Sequence, residues 1–360
     1  MQGQPEPTDP DLSSSASELR AALLDWYDAA RRQLPWRAAP GKRADPWQVL
    51  VSELMLQQTT VATVRARYAP FLARFPTLDA LARSSLDEVL HAWQGLGYYR
   101  RARALHACAL AVVERHAGRL PLEADRLAEL PGIGPYTAAA VAAIAGGRAE
   151  VPVDANVERV LARMTALERP VEAARPLLRR VAAGLAAPAR AADFAQAVME
   201  LGALVCTPRR PGCLTCPWRG WCRAAASGDP ERYPPRSERK GRAVRFATAY
   251  VLERADGAVL FRRRPETGLL AGLIELPGTE WSGEPWRTGQ PAGLPEMREL
   301  AALPGEVRHL FTHIDLTVTV LRGKAGHGGG EGIWTPPERF DELALPTLTR
   351  KLLRHAGLAG

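Results

Sequence analysis

Along residues 18–226 apolar side chains recur every three or four positions, and beyond about residue 243 they recur every second one. Leu19, Leu23, Trp26, Tyr27 and Ala30 trace one helical face that stops before Pro35. In "ADPWQVLVSELMLQQ" Asp45 is placed to cap a helix whose first position is Pro46. The same period predicts helices over roughly 61–74, 77–82, 86–94, 99–117, 123–129, 136–146, 155–166, 171–187 and 191–204, with no strand among them. "SGDPERYPPRSERKGR" reads as an exposed linker. After it, "VRFATAYVLERADGAVLFRRR" predicts a hairpin around Asp256-Gly257, "HLFTHIDLTVTVLRG" a long strand, and a helix from about Leu348 closes the chain. The expected architecture is therefore multidomain: a disordered tail (1–17), an all-α domain (18–226), a linker (227–243) and a smaller α+β domain (244–360), without internal repeats.

Composition narrows the function classes. Of 360 residues 46% are hydrophobic and 24% charged, as in soluble globular proteins. No stretch approaches the run of about 18–20 apolar residues that spans a membrane, and the acidic, Pro/Ser-rich first residues do not resemble a signal peptide, so a cytoplasmic protein without membrane attachment is expected. A net charge of +8 suits a polyanionic partner. Four of the five cysteines fall in "CTPRRPGCLTCPWRGWC", at Cys206, Cys213, Cys216 and Cys222. Without a secretion signal this spacing favours metal ligation over disulfides, and both zinc and an iron–sulfur cluster remain open. Arg209, Arg210, Arg219 and Arg223 decorate the loop as phosphate contacts would. Cys108, between Leu105 and Val112 at helical spacing, reads as an ordinary core position.

Two carboxylates stand out. Glu53 in "VSELMLQQTT" sits on a mainly apolar helix face. It is either a paired structural charge or an acid whose burial keeps a proton available. Asp154 follows Val-Pro-Val and opens a helix, where an N-cap stays ionised against free N–H groups. A proton-holding acid beside an anion suits cleavage of a glycosidic bond through an oxocarbenium-like transition state. "ELPGIGPYTAAAVAAI" places Gly132 and Gly134 in a turn before a fresh helix, which is either a tight helix–helix turn or a site for a DNA phosphate.

The ordered set "PWR", "SELMLQQT", "GLGYYRRAR", "LPGIGPYTA", "VDANVERV" and the four cysteines closely resembles adenine DNA glycosylases of the MutY type, in the helix-hairpin-helix, endonuclease III-like superfamily. The resemblance is dense over about 18–224 and continues through "GLLAGLIELPG" and "LFTHIDLTV" as a MutT-like C-terminal domain. It implies an all-α helix-hairpin-helix domain with a [4Fe–4S] loop, and a monomer acting on double-stranded DNA with an 8-oxoguanine:adenine or guanine:adenine mispair. It implies that Glu53 protonates a flipped adenine, that Asp154 stabilises the sugar cation and that Asn156 assists. By the same resemblance Arg37, Leu56 and Gln196 line the adenine pocket, Gln57, Gln58, Thr59, Tyr98, Gly132 and Gly134 meet DNA, Cys206, Cys213, Cys216 and Cys222 hold the cluster, and Phe311, Thr312 and His313 read 8-oxoguanine.

Tyr136 stands where lyase-active relatives carry a lysine; it cannot form a Schiff base, which implies a monofunctional enzyme. The MutT-like domain lacks the paired glutamates of a metal-binding box in "PEMRELAALPGEV" and is expected to recognise rather than hydrolyse. Thr312 replaces the serine of the resembled loop, retaining its hydroxyl and adding a methyl. A glycosylase for other bases and a non-catalytic iron–sulfur DNA-binding protein are the competing readings; Tyr136 with the C-terminal domain opposes the first, and the Glu53/Asp154 pair opposes the second.

Overall fold

The computed structural model describes residues 12, 14–39, 41–235, 241–285, 294–326 and 332–358. Most of the expected tail and the centre of the expected linker, 236–240, lie outside them. Two compact units form, one from the described parts of 1–83 and 104–238, the other from those of 84–103 and 239–360. Among the described residues no helix is long and apolar enough to cross a membrane.

The helices in chain order are α1 (Ala16–Ala30), α2 (Pro46–Leu56), α3 (Val61–Arg74), α4 (Leu78–Ala82), α5 (Leu86–Ala92), α6 (Arg100–His116), α7 (Ala124–Ala128), α8 (Pro135–Ile144), α9 (Ala155–Met164), α10 (Val171–Leu185), α11 (Ala191–Leu204) and the short α12 (Arg223–Ala226). α1 to α11 each lie close to the segment their periodicity predicts, whereas α12 is not among the expected helices; α1 starts two residues before the expected boundary. Local chemistry fixes several starts. Asp45 accepts from the Gln48 amide ahead of Pro46, Thr60 caps α3, and Asp154 accepts from the Val157 amide to open α9. In the first unit Leu19, Leu23 and Tyr27 of α1 meet Val160 and Leu161 of α9, Leu178 of α10, and Phe194 and Val198 of α11 in one core. Cys108 is buried, as expected of a core position.

The second unit holds a mixed sheet of β1 (Ala243–Glu253), β2 (Val259–Arg263), β3 (Ile274–Glu275), β4 (Met297–Leu310), β5 (Ile314–Ala325) and β6 (Ile333–Thr335). The order is β3-β2-β1-β5-β4, with β6 also on β2. β1 and β2 are antiparallel across the Asp256-Gly257 turn, and β1 runs parallel to β5. The single long strand expected over 309–323 is instead two: Leu310 ends β4 and Ile314 starts β5, so Phe311–His313 form the turn of an antiparallel hairpin. Strand periodicity on both sides of a three-residue turn cannot show the reversal. α13 (Thr347–His355) covers the sheet through Leu348, Leu352 and Leu353.

Residues 84–103 are tied into this second unit. Arg263 pairs with Asp87 at 2.8 Å, His91 Nε2 meets the Asp341 carbonyl at 2.7 Å, and Gln94 donates to the Leu343 carbonyl at 2.7 Å.

Candidate active site

Helix α2 is buried from Val49 to Met55, so Glu53 has no wet side to occupy and is only 4% exposed. Burial pushes its carboxyl up to about 7, with Asp154 adding to the rise; the Tyr136 hydroxyl and the Arg37 cation pull the other way without overcoming it. Tyr136, in the first turn of α8, donates its hydroxyl proton to Glu53 Oε2 at 2.6 Å. Burial, and then the Glu53 charge, hold that phenol protonated.

Asp154 accepts the Val157 amide on Oδ1 at 2.8 Å and Asn156 Nδ2 on Oδ2 at 2.9 Å. Arg159, one turn on, orients Asn156: its Nη2 donates to Asn156 Oδ1 at 2.9 Å and to the Gly202 carbonyl at 2.8 Å, and its Nε to the Cys206 carbonyl at 2.8 Å. A Cβ on Gly202 would stand 2.8 Å from Asn156 Cβ, so glycine permits α11 to approach α9 this closely.

One cleft of about 570 Å³ is lined by Glu53, Tyr136, Asp154 and Asn156, by Arg37, Leu56 and Gln196, and by Gln57, Gln58 and Thr59. Gln57 Nε2 donates to Thr137 Oγ1 at 3.1 Å. Gln58 is exposed with φ +54°, a left-handed conformation that a non-glycine residue adopts at a cost. Gly132 and Gly134 lie in the turn before α8, outside the cleft lining. Gly132 has φ +73°, and a Cβ there would stand 2.2 Å from Ala104 Cβ; Gly134 caps α8 with open space around it.

The four clustered cysteines line a second, small cavity. Burial, reinforced by the three other thiols, pushes Cys216 up to about 11. Arg163 ties the loop down, donating to the Thr207 carbonyl at 2.7 Å and to Cys206 Sγ at 3.4 Å. Among the described residues no three His, Cys, Asp or Glu side chains close around a single metal ion.

In the second unit the 311–313 turn is exposed at Thr312 and His313. The Phe311 ring stacks on Trp281, with centroids 5.4 Å apart, and meets the His309 ring edge-on. Tyr98, in a left-handed conformation at φ +46°, shares a hydrogen bond with Thr312 Oγ1 at 3.0 Å. Two residues singled out for separate reasons thus touch.

Residues 51–182 match the HhH-GPD superfamily of base excision DNA repair proteins, and residues 248–355 match the NUDIX domain. The adenine DNA glycosylase of Homo sapiens is 38% identical, over 95% of this chain and 74% of the human one. The chain belongs to the adenine DNA glycosylase family. That of Mycolicibacterium smegmatis is 47% identical over 58% of this chain and 70% of its own. A solved structure of a thermostable thymine-DNA glycosylase superposes with a TM-score of 0.54 at 27% identity, covering 60% of this chain and all of that one.

The family motifs did not lead to Glu200, Arg32, Arg159 or Arg163. Glu200 is 1% exposed on α11 and lines the same cleft. The signal that singled out Glu53, an acid among apolar neighbours at helical spacing, is present in "AVMELGAL" as well. For Arg159 and Arg163 the sequence holds only their i, i+4 spacing on α9, ordinary for a solvated face.

Proposed function

We propose that this protein removes adenine from duplex DNA where the adenine is mispaired with 8-oxoguanine or guanine. The observation that carries the reading is a buried acid poised near neutrality, Glu53 at about 7, lining one cleft with the N-capping carboxylate Asp154. The target nucleotide leaves the stack and its base enters the cleft against Arg37, Leu56 and Gln196. Glu53 delivers its proton to the base N7. The N9–C1′ bond then breaks with its electron pair leaving on adenine. Asp154, oriented by the Val157 amide and Asn156, stabilises the positive C1′, and water adds there with loss of its proton. Tyr136 spends its hydroxyl on Glu53 Oε2 and offers no amine, which makes the enzyme monofunctional.

Gln57 and Thr59 meet the DNA beside the cleft, and Gln58 and Tyr98 wedge into the duplex where the base is extruded. The turn at Gly132 and Gly134 presents the free amides of α8 to a phosphate. Cys206, Cys213, Cys216 and Cys222 hold a [4Fe–4S] cluster that fixes the shape of the arginine-bearing loop. The donor set fits: four thiols share one cavity, a single ion would need sulfurs about 2.3 Å from its centre, and a four-iron cluster takes one thiolate per iron. The Phe311–His313 turn reads the 8-oxo group and N7 proton of the opposite base, and the NUDIX-like unit does not hydrolyse nucleotides. One chain supplies all these groups, so the enzyme works as a monomer.

Purified protein, incubated with duplexes that differ only in one base pair and then heated in alkali, tests the reading. Cleavage at adenine opposite 8-oxoguanine and guanine is expected, with adenine opposite thymine left intact. Equal cleavage of all duplexes, or strand scission without alkali, contradicts it.

A further inference from the structure

Glu200 is the most fully buried charge in the cleft wall, at 1% exposure, and it is held by two cations at once. Arg32 donates from Nε to Oε1 and from Nη2 to Oε2, each at 2.7 Å, and adds its backbone amide to Oε1 at 3.0 Å. Arg37 donates from Nη2 to Oε2 at 2.7 Å and from Nη1 to Oε1 at 3.2 Å. Arg37 Nη1 also donates to the Arg32 carbonyl at 3.1 Å, so the two arginines and the carboxylate form one closed cluster. Arg32, Arg37, Glu200 and Glu53 all line the cleft.

We propose that Glu200 is a positioning residue: it clamps Arg32 and Arg37 into the wall of the cleft and offsets their charge there, leaving Glu53 as the group that serves the base. This rests on the reading of Glu53 as the acid. The physical reason is electrostatic. The groups facing Glu53 are Tyr136 of α8, Asp154 at the start of α9 and Arg37 on the segment after α1, while α2 itself carries no second charge. Among them Arg37 is the cation, and a cation beside a buried carboxylate favours its ionised form. An uncompensated Arg37 would draw Glu53 further toward its ionised form and away from the proton it must deliver. Glu200 is suited to compensate it. Burial alone would raise its carboxyl, yet hydrogen bonds from Arg32 and Arg37 hold it down at about 2, so it stays anionic at any working pH. With Glu200 the cluster carries one net positive charge; without it, two.

The test is the pH profile of single-turnover adenine excision by full-length Glu200→Gln and Arg32→Gln, beside wild type and Glu53→Gln. Removing the Glu200 charge raises the cluster by one unit, so the alkaline fall of the profile should move down by about one pH unit, cutting excision at pH 8 roughly tenfold. Removing Arg32 lowers the cluster by one unit while Glu200 keeps Arg37, so the alkaline fall should move up. A purely structural Glu200 would depress the rate at every pH and would not shift the two profiles in opposite directions. If Glu200→Gln does not fold, the upward shift in Arg32→Gln carries the test, and its absence overturns the proposal. The Glu53→Gln arm separates the layers. Excision surviving in it overturns Glu53 as the acid and this proposal with it. A dead Glu53→Gln, with unmoved profiles in the other two variants, overturns the Glu200 assignment alone.

Discussion

Glu53 keeps its proton at a cost to the fold. A carboxyl raised from 4.5 to about 7 binds its proton more tightly in the native chain than in the unfolded one. Its contribution to stability is therefore fully present below about pH 4.5 and is lost as pH rises through about 7, a swing of about 3 kcal/mol. Glu53→Gln should match wild type in thermal stability near pH 4.5 and exceed it progressively toward pH 8, as melting curves across that range would record. The same variant should lose base excision by at least about 10²–10⁴-fold, since the amide cannot deliver a proton, while mispair binding in a gel shift stays nearly intact. Near-wild-type excision would remove Glu53 from the mechanism. Asp154→Asn should fall similarly in rate, because the stabilising charge is lost while a side-chain oxygen can still accept from the Val157 amide.

At the scale of elements, the turn between α7 and α8 separates two uses of glycine. Gly132 is required by the chain itself: its left-handed φ and the 2.2 Å approach to Ala104 leave no room for a methyl group. Gly132→Ala should cost about 1–3 kcal/mol in denaturant unfolding and misplace Tyr136 with the whole of α8. Gly134 has extended backbone and open space, so Gly134→Ala should fold with an unchanged melting temperature. A loss of DNA affinity in that variant would then report a phosphate that needs the space, and unchanged affinity would dismiss the site. The cysteine loop is testable by colour. As-purified protein should be yellow-brown, Cys108→Ala should retain its iron, and colourless protein with stoichiometric zinc would refute the cluster.

For the whole molecule, the question is where opposite-base preference resides. Deleting everything beyond residue 236 would strip Asp87, His91 and Gln94 of their partners, so loss of function in such a chain would mix folding with recognition. Point changes in the 311–313 turn avoid this. Thr312→Ala with His313→Ala should lower the ratio of excision opposite 8-oxoguanine to excision opposite guanine, each lost contact being worth about 1–3 kcal/mol. Excision opposite guanine should change little. An unchanged ratio would place recognition elsewhere. Tyr98→Phe removes the hydroxyl that meets Thr312 and should produce part of the same loss.

The sequence by itself determined the elements that depend on neighbours along the chain. The caps at Asp45 and Asp154, the helical period of α1 to α11 and the hairpin at Asp256-Gly257 are set within a few residues, and each formed near its predicted position. Family motifs likewise brought the cleft residues from Arg37 to Gln196 together in advance. The rest required distant segments to meet. Glu200 lies 163 residues from Arg37 and 168 from Arg32, so although "AVMELGAL" marks an acid among apolar neighbours, nothing local names the cations that hold it. The chain reversal at Phe311–His313 was hidden because Leu310, Ile314, Leu316, Val318 and Val320 keep a two-residue period in the sequence, whereas in the fold Leu310 is exposed and Val307 is the buried residue of β4. The docking of 84–103 onto the sheet unit rests on side-chain and carbonyl contacts between segments some 250 residues apart, as between His91 and Asp341. Periodicity records which face of an element avoids water; only tertiary packing decides which buried charges face one another and so which proton is held.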